Sequence, residues 1–188
     1  MDRHSARVVI LVLLLSVFGC YRVDLPKTLW IEDSWNDEET TQIHRAIDEW
    51  NRFSREYCGE DIIIYGGRLI DPNGFQSEID PGDEYNIIYK TAEPDESYEF
   101  LVDVTDQPNI GGYATKTDIL IFTFHDYISA HLYIVALHEL GHWVGLIHIG
   151  NDPNVIMYPA AEAGKFSGLT KKDKQAFCLV HGCCAKEP

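Results

Sequence analysis

Two histidines four positions apart constrain this chain more than any other feature. They belong to the segment His138-Glu139-Leu140-Gly141-His142. On an α-helix, residues i and i+4 project from one face about 6 Å apart, so two imidazoles there can share one metal ion. Zinc accepts neutral imidazole nitrogens at about 2.0–2.1 Å and keeps a fourth position for water in catalytic sites. The segment therefore predicts a helix that carries two zinc ligands, His138 and His142.

A third histidine follows at a spacing that requires the helix to end. If the helix continued, His148 would lie about 9 Å further along the axis than His142, too far to share the ion. Gly145 can adopt the left-handed conformation that ends a helix and turns the chain back. We therefore predict that the helix stops at Gly145 and that His148 is the third ligand. An amphipathic helix with incidental histidines is the alternative; it explains Leu140 and Val144 but not this spacing.

A carboxylate next to the first ligand completes the predicted site. Glu139 lies one residue beyond His138, so it reaches a water on the ion rather than the ion itself. There it can take the proton as that water attacks a carbonyl group, which is general-base catalysis. Three ligands and a base together predict metal-assisted hydrolysis.

The extended motif resembles that of a known family. Residues 138–148 match the pattern HExxHxxGxxH, and nine residues after the third histidine Met157-Tyr158-Pro159 supplies a methionine-containing turn. These features resemble the metzincin metallopeptidases, and the Met-Tyr-Pro sequence is most similar to that of the matrixins. The resemblance implies an α+β, zincin-like fold, with a mixed twisted sheet, an active-site helix, a Met-turn and a C-terminal helix.

The resemblance also assigns roles around the turn. Met157 is expected to form an apolar floor beneath the zinc ligands without coordinating the ion, and Asp173 to anchor the turn. No histidine lies between Arg45 and Phe124, so we expect one catalytic zinc and no second, structural one. Ile149 stands where matrixins often carry serine and astacins glutamate, which leaves the metzincin subfamily open.

A substrate pocket is a further implication of the resemblance. In matrixin-like enzymes the pocket for the residue after the cut bond is lined by the active-site helix and the Met-turn strand. Ile134 predicts one apolar wall and the small Ala160 and Ala161 the other. We therefore expect a roomy hydrophobic pocket that prefers Leu, Ile, Met or Phe. The alternative is that Ile134 packs into the core and that the loop 160–168 forms the pocket.

The N-terminal segment has the pattern of an export signal. Arg3 and Arg7 accompany an apolar run that ends at Gly19, which is too short for the roughly 20 residues of a membrane-spanning helix but typical of a signal-peptide core. The run meets Cys20 in a sequence that resembles a bacterial lipobox, in which the cysteine is lipid-modified. An ordinary secretory signal, with Cys20 buried or disulfide-bonded, is the alternative.

These features predict the organisation of the whole chain. We expect a lipoprotein-type signal peptide over residues 1–19, a short linker over 20–27 and one catalytic domain over 28–188. The mature protein is expected to be exported and held at a bacterial membrane by its lipid anchor alone. The formal net charge of −15 opposes broad contact with nucleic-acid phosphates or an anionic bilayer. We expect no nucleic-acid partner. We also expect a monomer whose partner is a protein or peptide substrate.

Four cysteines outside the signal segment suggest disulfides, because oxidising compartments favour them. Cys58, Cys178, Cys183 and Cys184 allow three pairings, and a bridge between the two adjacent cysteines is disfavoured by its strained geometry. A second metal site is the alternative, but the paired CxxC spacing of such sites is missing.

Apolar periodicity and turn residues predict the remaining elements. Strands are expected at 28–32, 61–65, 86–90, from 111 and at 118–122, and helices from Asn36 to Gly59, at 129–144 and at 169–180. The run 61–65 is typical of a buried strand. Residues 91–109 are acidic and predict a solvated loop. Calcium binding by this loop is the alternative, although it has no EF-hand spacing.

Three functions share this pattern. The leading hypothesis is a zinc-dependent endopeptidase in which Glu139 activates water. A non-catalytic zinc-binding envelope lipoprotein that binds a partner is the second, but loss of Glu139 would mark that fate and Glu139 is present. A peptidase that cuts peptidoglycan cross-links is the third; it uses the same chemistry on another substrate.

Overall fold

A computed structural model describes residues 23–70, 85–94, 96–105, 110–150, 152–159, 166–185 and 188. This part of the chain contains one five-stranded sheet and four helices. The strands are β1 (Lys27–Glu32), β2 (Ile63–Leu69), β3 (Ile87–Thr91), β4 (Gly112–Ala114) and β5 (Ile119–Phe122). The helices are α1 (Asp37–Cys58), α2 (Glu96–Thr105), α3 (Asp126–Trp143) and α4 (Lys171–His181).

The sheet is mixed, with strand order β2-β1-β3-β5-β4. β1 runs parallel to β2 and β3, and β3 runs parallel to β5. β4 alone is antiparallel, and it pairs with β5 at the edge of the described sheet. The predicted α+β architecture with a mixed sheet is thus confirmed. The antiparallel edge strand also contacts α3, the helix that carries the histidine motif.

Helix α1 begins and ends where the sequence predicts. Asn36 caps its start: the Asn36 side chain accepts from the Glu39 backbone N–H at 2.9 Å, and the Glu39 carboxylate accepts from the Asn36 N–H at 2.9 Å. Gly59 ends the helix with a φ of 88°, which a residue with a Cβ rarely adopts. One face of α1 is buried against α3, and the Trp50 indole N–H donates to the Leu137 carbonyl at 3.0 Å. This bond fixes the histidine helix to the core.

The strand predicted at 61–65 differs from the observed one. β2 spans Ile63–Leu69 at the sheet edge, and it is not buried, since Ile64 is 48% and Tyr65 40% exposed. Gly66 does not end the strand but lies within it. A Cβ there would come within 2.5 Å of the Trp30 ring, so glycine allows the indole to cross the strand. An apolar run alone does not distinguish a central strand from an edge strand.

The acidic stretch 91–109, expected to be a loop, contains helix α2. The Tyr98 ring lies 5.1 Å from the ring of Phe122 and 4.8 Å from that of Phe124, centroid to centroid. These aromatic contacts give the helix a tertiary anchor that its charged neighbours conceal in the sequence. α3 also begins three residues earlier than the predicted position 129, with non-helical dihedral angles at His131.

The predicted signal peptide and its cysteine, residues 1–20, lie outside the described residues. Among the helices that the structure describes, none combines the length and apolar character needed to span a bilayer. The assignments of the N-terminal segment, the linker and the domain boundaries therefore stay predictions.

Two disulfides close the C-terminal end of the fold. Cys58 at the end of α1 is bonded to Cys183, and Cys178 in the last turn of α4 is bonded to Cys184. The backbone N–H of Ala185 also donates to the Tyr57 carbonyl at 2.9 Å. This pairing is one of the three that the sequence allows, and it excludes the disfavoured bond between adjacent cysteines.

Cys58→Ala is expected to lower the free energy of unfolding by about 2–5 kcal/mol. The lost bond joins residues 125 positions apart, so its removal frees a long loop of the unfolded chain. Urea denaturation of the oxidised protein measures the effect. Leu179→Ala, at an α4 position that is 86% exposed, is the control. An unchanged midpoint in Cys58→Ala would show that this bond does not stabilise the fold.

Candidate active site

The end of helix α3 brings the third histidine back towards the first two. The helix carries His138 and His142 and stops at Trp143. Gly145 follows with a φ of 97°, and the Leu146 N–H donates to the Gly141 carbonyl at 2.9 Å. The left-handed glycine reverses the chain, so that His148 lies beside the helix instead of beyond its end. The predicted role of Gly145 as the helix-ending residue is thus what the backbone shows.

The three imidazoles converge through their Nε2 atoms. His142 Nε2 lies 3.1 Å from His138 Nε2 and 3.0 Å from His148 Nε2. The ligand atoms of the three residues all lie within 4.8 Å of one another, a group that could hold a metal ion. In a tetrahedral site with zinc–nitrogen distances of about 2.0–2.1 Å, two ligand nitrogens are about 3.3 Å apart. The observed spacing is close to that value.

The outer ring nitrogens fix the tautomers of the two helix histidines. His138 Nδ1 lies 2.6 Å from the Ile156 carbonyl, and His142 Nδ1 lies 2.9 Å from the Leu146 carbonyl. A carbonyl can only accept, so both Nδ1 atoms donate and both Nε2 atoms carry free lone pairs. Lone pairs that face one another repel, and a shared cation removes this repulsion. The arrangement therefore fits a metal ion.

The protonation states agree with that fit. Burial, aided by the charge of His142, lowers the pKa of His138 to about 3 and that of His148 to about 4. Burial also lowers the pKa of His142. All three rings are thus neutral near pH 7, as metal ligation requires. A neutral set of three imidazoles is a donor set that suits zinc.

Glu139 projects into a narrow space between α3 and the edge strand β4. Its side chain is only 5% exposed, and burial raises the pKa of this carboxyl to about 8. A Cβ on Gly112 would lie 2.8 Å from Glu139 Cγ and 2.9 Å from Oε1, so only glycine leaves room there. A cation held by the neighbouring histidines would favour the ionised carboxylate. No sequence motif indicates this requirement at Gly112, and the only signal is the pair of glycines at 111–112.

The Met-turn packs directly against the ligand helix. Met157 is fully buried, and a Cβ on Gly141 would lie 2.3 Å from the Met157 sulfur. Glycine at this position of the motif therefore lets the turn approach the helix between the two histidines. The Ile149 N–H donates to the Met157 carbonyl at 2.7 Å, which ties the chain after the third histidine to the turn. Met157 thus packs against the helix between His138 and His142, as the resemblance implies. Tyr158 is half-buried and Pro159 is exposed.

A buried carboxylate holds the turn in place. Asp173 is fully buried and accepts from the Ile156 N–H at 3.1 Å and from the Met157 N–H at 3.0 Å. It also accepts from the N–H and the hydroxyl of Thr170, at 2.9 Å and 2.6 Å, as part of the capping box that starts α4. The Ile156 carbonyl, which accepts from His138, belongs to the same peptide unit as the Met157 N–H, so the carboxylate supports His138 through one peptide unit. The expected role of Asp173 as anchor is confirmed.

A comparison with protein families agrees with this geometry. The family model described as matrixin matches residues 32–182. The chain belongs to the matrixin family. The match contains the three histidines, Glu139, the Met-turn and Asp173. Membership confirms the resemblance inferred from the motif, and it implies metalloendopeptidase chemistry that depends on zinc.

Asp173→Asn is expected to lower the free energy of unfolding of this matrixin domain by about 1–3 kcal/mol or more. This range is the cost of one buried donor left without an acceptor. Whichever way the amide turns, its NH2 group faces a backbone N–H that the carboxylate now satisfies. Thermal and urea unfolding measure the loss. Asp48→Asn, an exposed position of α1, is the control. Equal stability of the two variants would contradict the anchoring role.

The residue predicted for the substrate pocket and two further histidines lie outside the group of three convergent imidazoles. Ile134 is 5% exposed and packs in the hydrophobic core. This position agrees with the alternative in which Ile134 belongs to the core and does not form a pocket wall. Residues 160 and 161 lie outside the described residues, so the hydrophobic pocket stays a prediction. His131 lies at the irregular start of α3, outside the convergent group. His181 is buried at the end of α4, with Nε2 2.8 Å from the Val144 carbonyl.

Proposed function

We propose that this matrixin is a zinc-dependent endopeptidase, with His138, His142 and His148 as metal ligands and Glu139 as general base. The observation that carries the proposal is the convergence of three neutral imidazoles through Nε2, beside a buried carboxyl. A zinc ion there would lower the pKa of a water molecule and polarise a substrate carbonyl.

Glu139 supplies the proton transfers. Its carboxylate is placed to take a proton from the attacking water and to give it to the amine nitrogen that leaves. The buried position beside Gly112 holds the side chain in one orientation and keeps bulk water away from it. In such surroundings the electrostatic effect of a charge is stronger than in water. A non-catalytic zinc-binding protein has no need for an acid buried at this cost, which disfavours that alternative.

The edge strand β4 supports a peptide as the substrate. The Phe122 N–H donates to the Gly111 carbonyl and the Thr115 N–H to the Asp118 carbonyl, so positions 111 and 115 face β5. In an antiparallel strand successive residues alternate, and Gly112 and Ala114 therefore direct their N–H and C=O groups to the outer edge. An extended peptide that pairs with this edge is brought next to Glu139.

A digest of a mixed peptide library with metal-free and zinc-loaded protein tests this proposal. We expect cleavage at internal bonds, its loss on addition of a zinc chelator and its return with zinc. The sites of cleavage also show whether a hydrophobic residue is preferred after the cut bond. Zinc-independent cleavage or an inert zinc-loaded protein would exclude the proposed enzyme. Cleavage of cross-links in purified peptidoglycan, with the library left intact, would support the third hypothesis.

We also propose that the protein is exported and lipid-anchored through Cys20. The support is the lipobox-like sequence after a short apolar run, together with two disulfides that require an oxidising compartment. Cys20→Ala is expected to move the protein from the membrane fraction to the soluble exported fraction and to abolish incorporation of a labelled fatty acid. A variant that still sediments with membranes would show that the anchor lies elsewhere.

A further inference from the structure

The four bonded cysteines, at the end of α1 and in and after α4, form one sulfur cluster rather than two separate bridges. Cys58 Sγ and Cys184 Sγ belong to different disulfides, yet they lie 3.7 Å apart. Neither sulfur carries a proton in the bonded state, so this is a van der Waals contact between two disulfides. The sulfurs of Cys58, Cys183 and Cys184 all lie within 4.8 Å of one another. A thiolate released at one of them thus has a second disulfide beside it.

The members of this cluster differ in their access to solvent. Cys183 is exposed, whereas Cys58, Cys178 and Cys184 are half-buried. Thiol–disulfide exchange begins when a thiolate reaches a disulfide sulfur, and access decides which sulfur is attacked. Cys183 is therefore the entry point for a thiol from solution, and its partner Cys58 is the sulfur that leaves.

We propose that the cluster is a thiol-exchange site that takes up a small monothiol, such as glutathione, on Cys183. The incoming thiolate bonds to Cys183 Sγ, and the Cys58–Cys183 bond breaks with its electron pair on Cys58. The Cys58 thiolate then bonds to Cys184 Sγ, and the Cys178–Cys184 bond breaks with its electron pair on Cys178, which takes a proton. One thiol is consumed and one is formed, so the sequence needs no external oxidant or reductant.

The exchange preserves the link between α1 and the C-terminal segment. The bond that breaks joins residues 125 positions apart, and the bond that forms joins residues 126 positions apart. The two bonds constrain the unfolded chain almost equally, so the long cross-link is exchanged at little entropic cost. The hydrogen bond from the Ala185 N–H to the Tyr57 carbonyl holds the segment beside α1 meanwhile. Modification of Cys183 therefore keeps the long cross-link and removes only the short loop between Cys178 and Cys184.

Peptide mapping of the oxidised protein after incubation with glutathione tests the proposal. Free thiols are alkylated at low pH, and fragment ions of the peptide that contains residues 175–186 locate each group. We expect glutathione on Cys183, the alkyl group on Cys178 and a bond between Cys58 and Cys184. Glutathione on another cysteine, an alkylated Cys58 beside an intact Cys178–Cys184 bond, or no uptake would each overturn it.

Two variants distinguish the proposed two-step exchange from simple reduction of the Cys58–Cys183 bond. Cys183→Ala should oxidise to a Cys58–Cys184 bond with Cys178 free, and its unfolding midpoint should stay above that of Cys58→Ala. The double variant Cys178→Ala/Cys184→Ala keeps the Cys58–Cys183 bond but removes the second disulfide. In this double variant, incubation with glutathione should leave Cys58 as a free thiol, so the mapping should find it alkylated. A free Cys58 thiol in Cys183→Ala, or a Cys58 that is not alkylated in the double variant, would contradict the two-step exchange.

Discussion

Glu139→Gln is expected to lower kcat for peptide cleavage by about 10²–10⁴-fold, the usual contribution of a general base. Glutamine has nearly the shape of the native side chain, so it fits the space beside Gly112, but it cannot accept the proton of the attacking water. KM and the zinc content should change little, because the three imidazoles are untouched. Turnover of a quenched fluorescent peptide and metal analysis of the same sample measure both effects.

The control for this variant is Glu38→Gln, an exposed position in the first turn of α1. It removes the same charge from the surface and should leave kcat unchanged. Near-normal turnover in Glu139→Gln would mean that another group activates the water. Loss of zinc together with turnover would mean instead that Glu139 supports the metal site.

His148→Ala is expected to remove peptidase activity and to weaken zinc binding. Loss of a residue that only hydrogen-bonds to a metal ligand typically lowers metal affinity by about 10–100-fold, and loss of the ligand itself should lower it by more. The variant leaves only the two imidazoles on α3, whose Nδ1 bonds to backbone carbonyls persist. His148 follows the end of the helix and lies outside the hydrophobic core, so the metal-free fold should be unaffected. Competition with a chromophoric chelator measures zinc affinity.

His131→Ala is the matched control on α3, seven residues before the first ligand and outside the convergent group. It should bind one zinc per chain as tightly as the native protein. Native affinity in His148→Ala, or two tightly bound zinc ions in the native chain, would be inconsistent with a three-histidine site.

The features that the sequence predicted well are those set by neighbours along the chain. The caps at Asn36 and Thr170 and the turn at Gly145 depend on side chains or dihedral angles within a few residues. The convergence of His138 and His142, the two proposed zinc ligands on α3, belongs to the same class, because helical spacing brings these side chains together.

The features that escaped prediction depend on contacts between distant segments. Helix α2 is held by Tyr98 against Phe122 and Phe124, and no periodicity in the acidic stretch shows this. The need for glycine at 112 appears only when β4 lies against α3. The pairing of the four cysteines likewise required the end of α1 and the end of α4 to be placed side by side.

The position of Asp173 late in the sequence means that the site can be completed only near the end of synthesis. A ribosome delivers the chain from its N-terminus, so the three histidines and the Met-turn emerge before the carboxylate that receives the turn's amides. Until that carboxylate arrives, the Ile156 and Met157 N–H groups have water as their acceptor, and the carbonyl that orients His138 is not fixed. A nascent chain thus contains all three proposed zinc ligands before it contains the carboxylate that supports His138. The helix that is synthesised last thus completes the proposed catalytic centre, and we expect a chain that lacks it to be inactive.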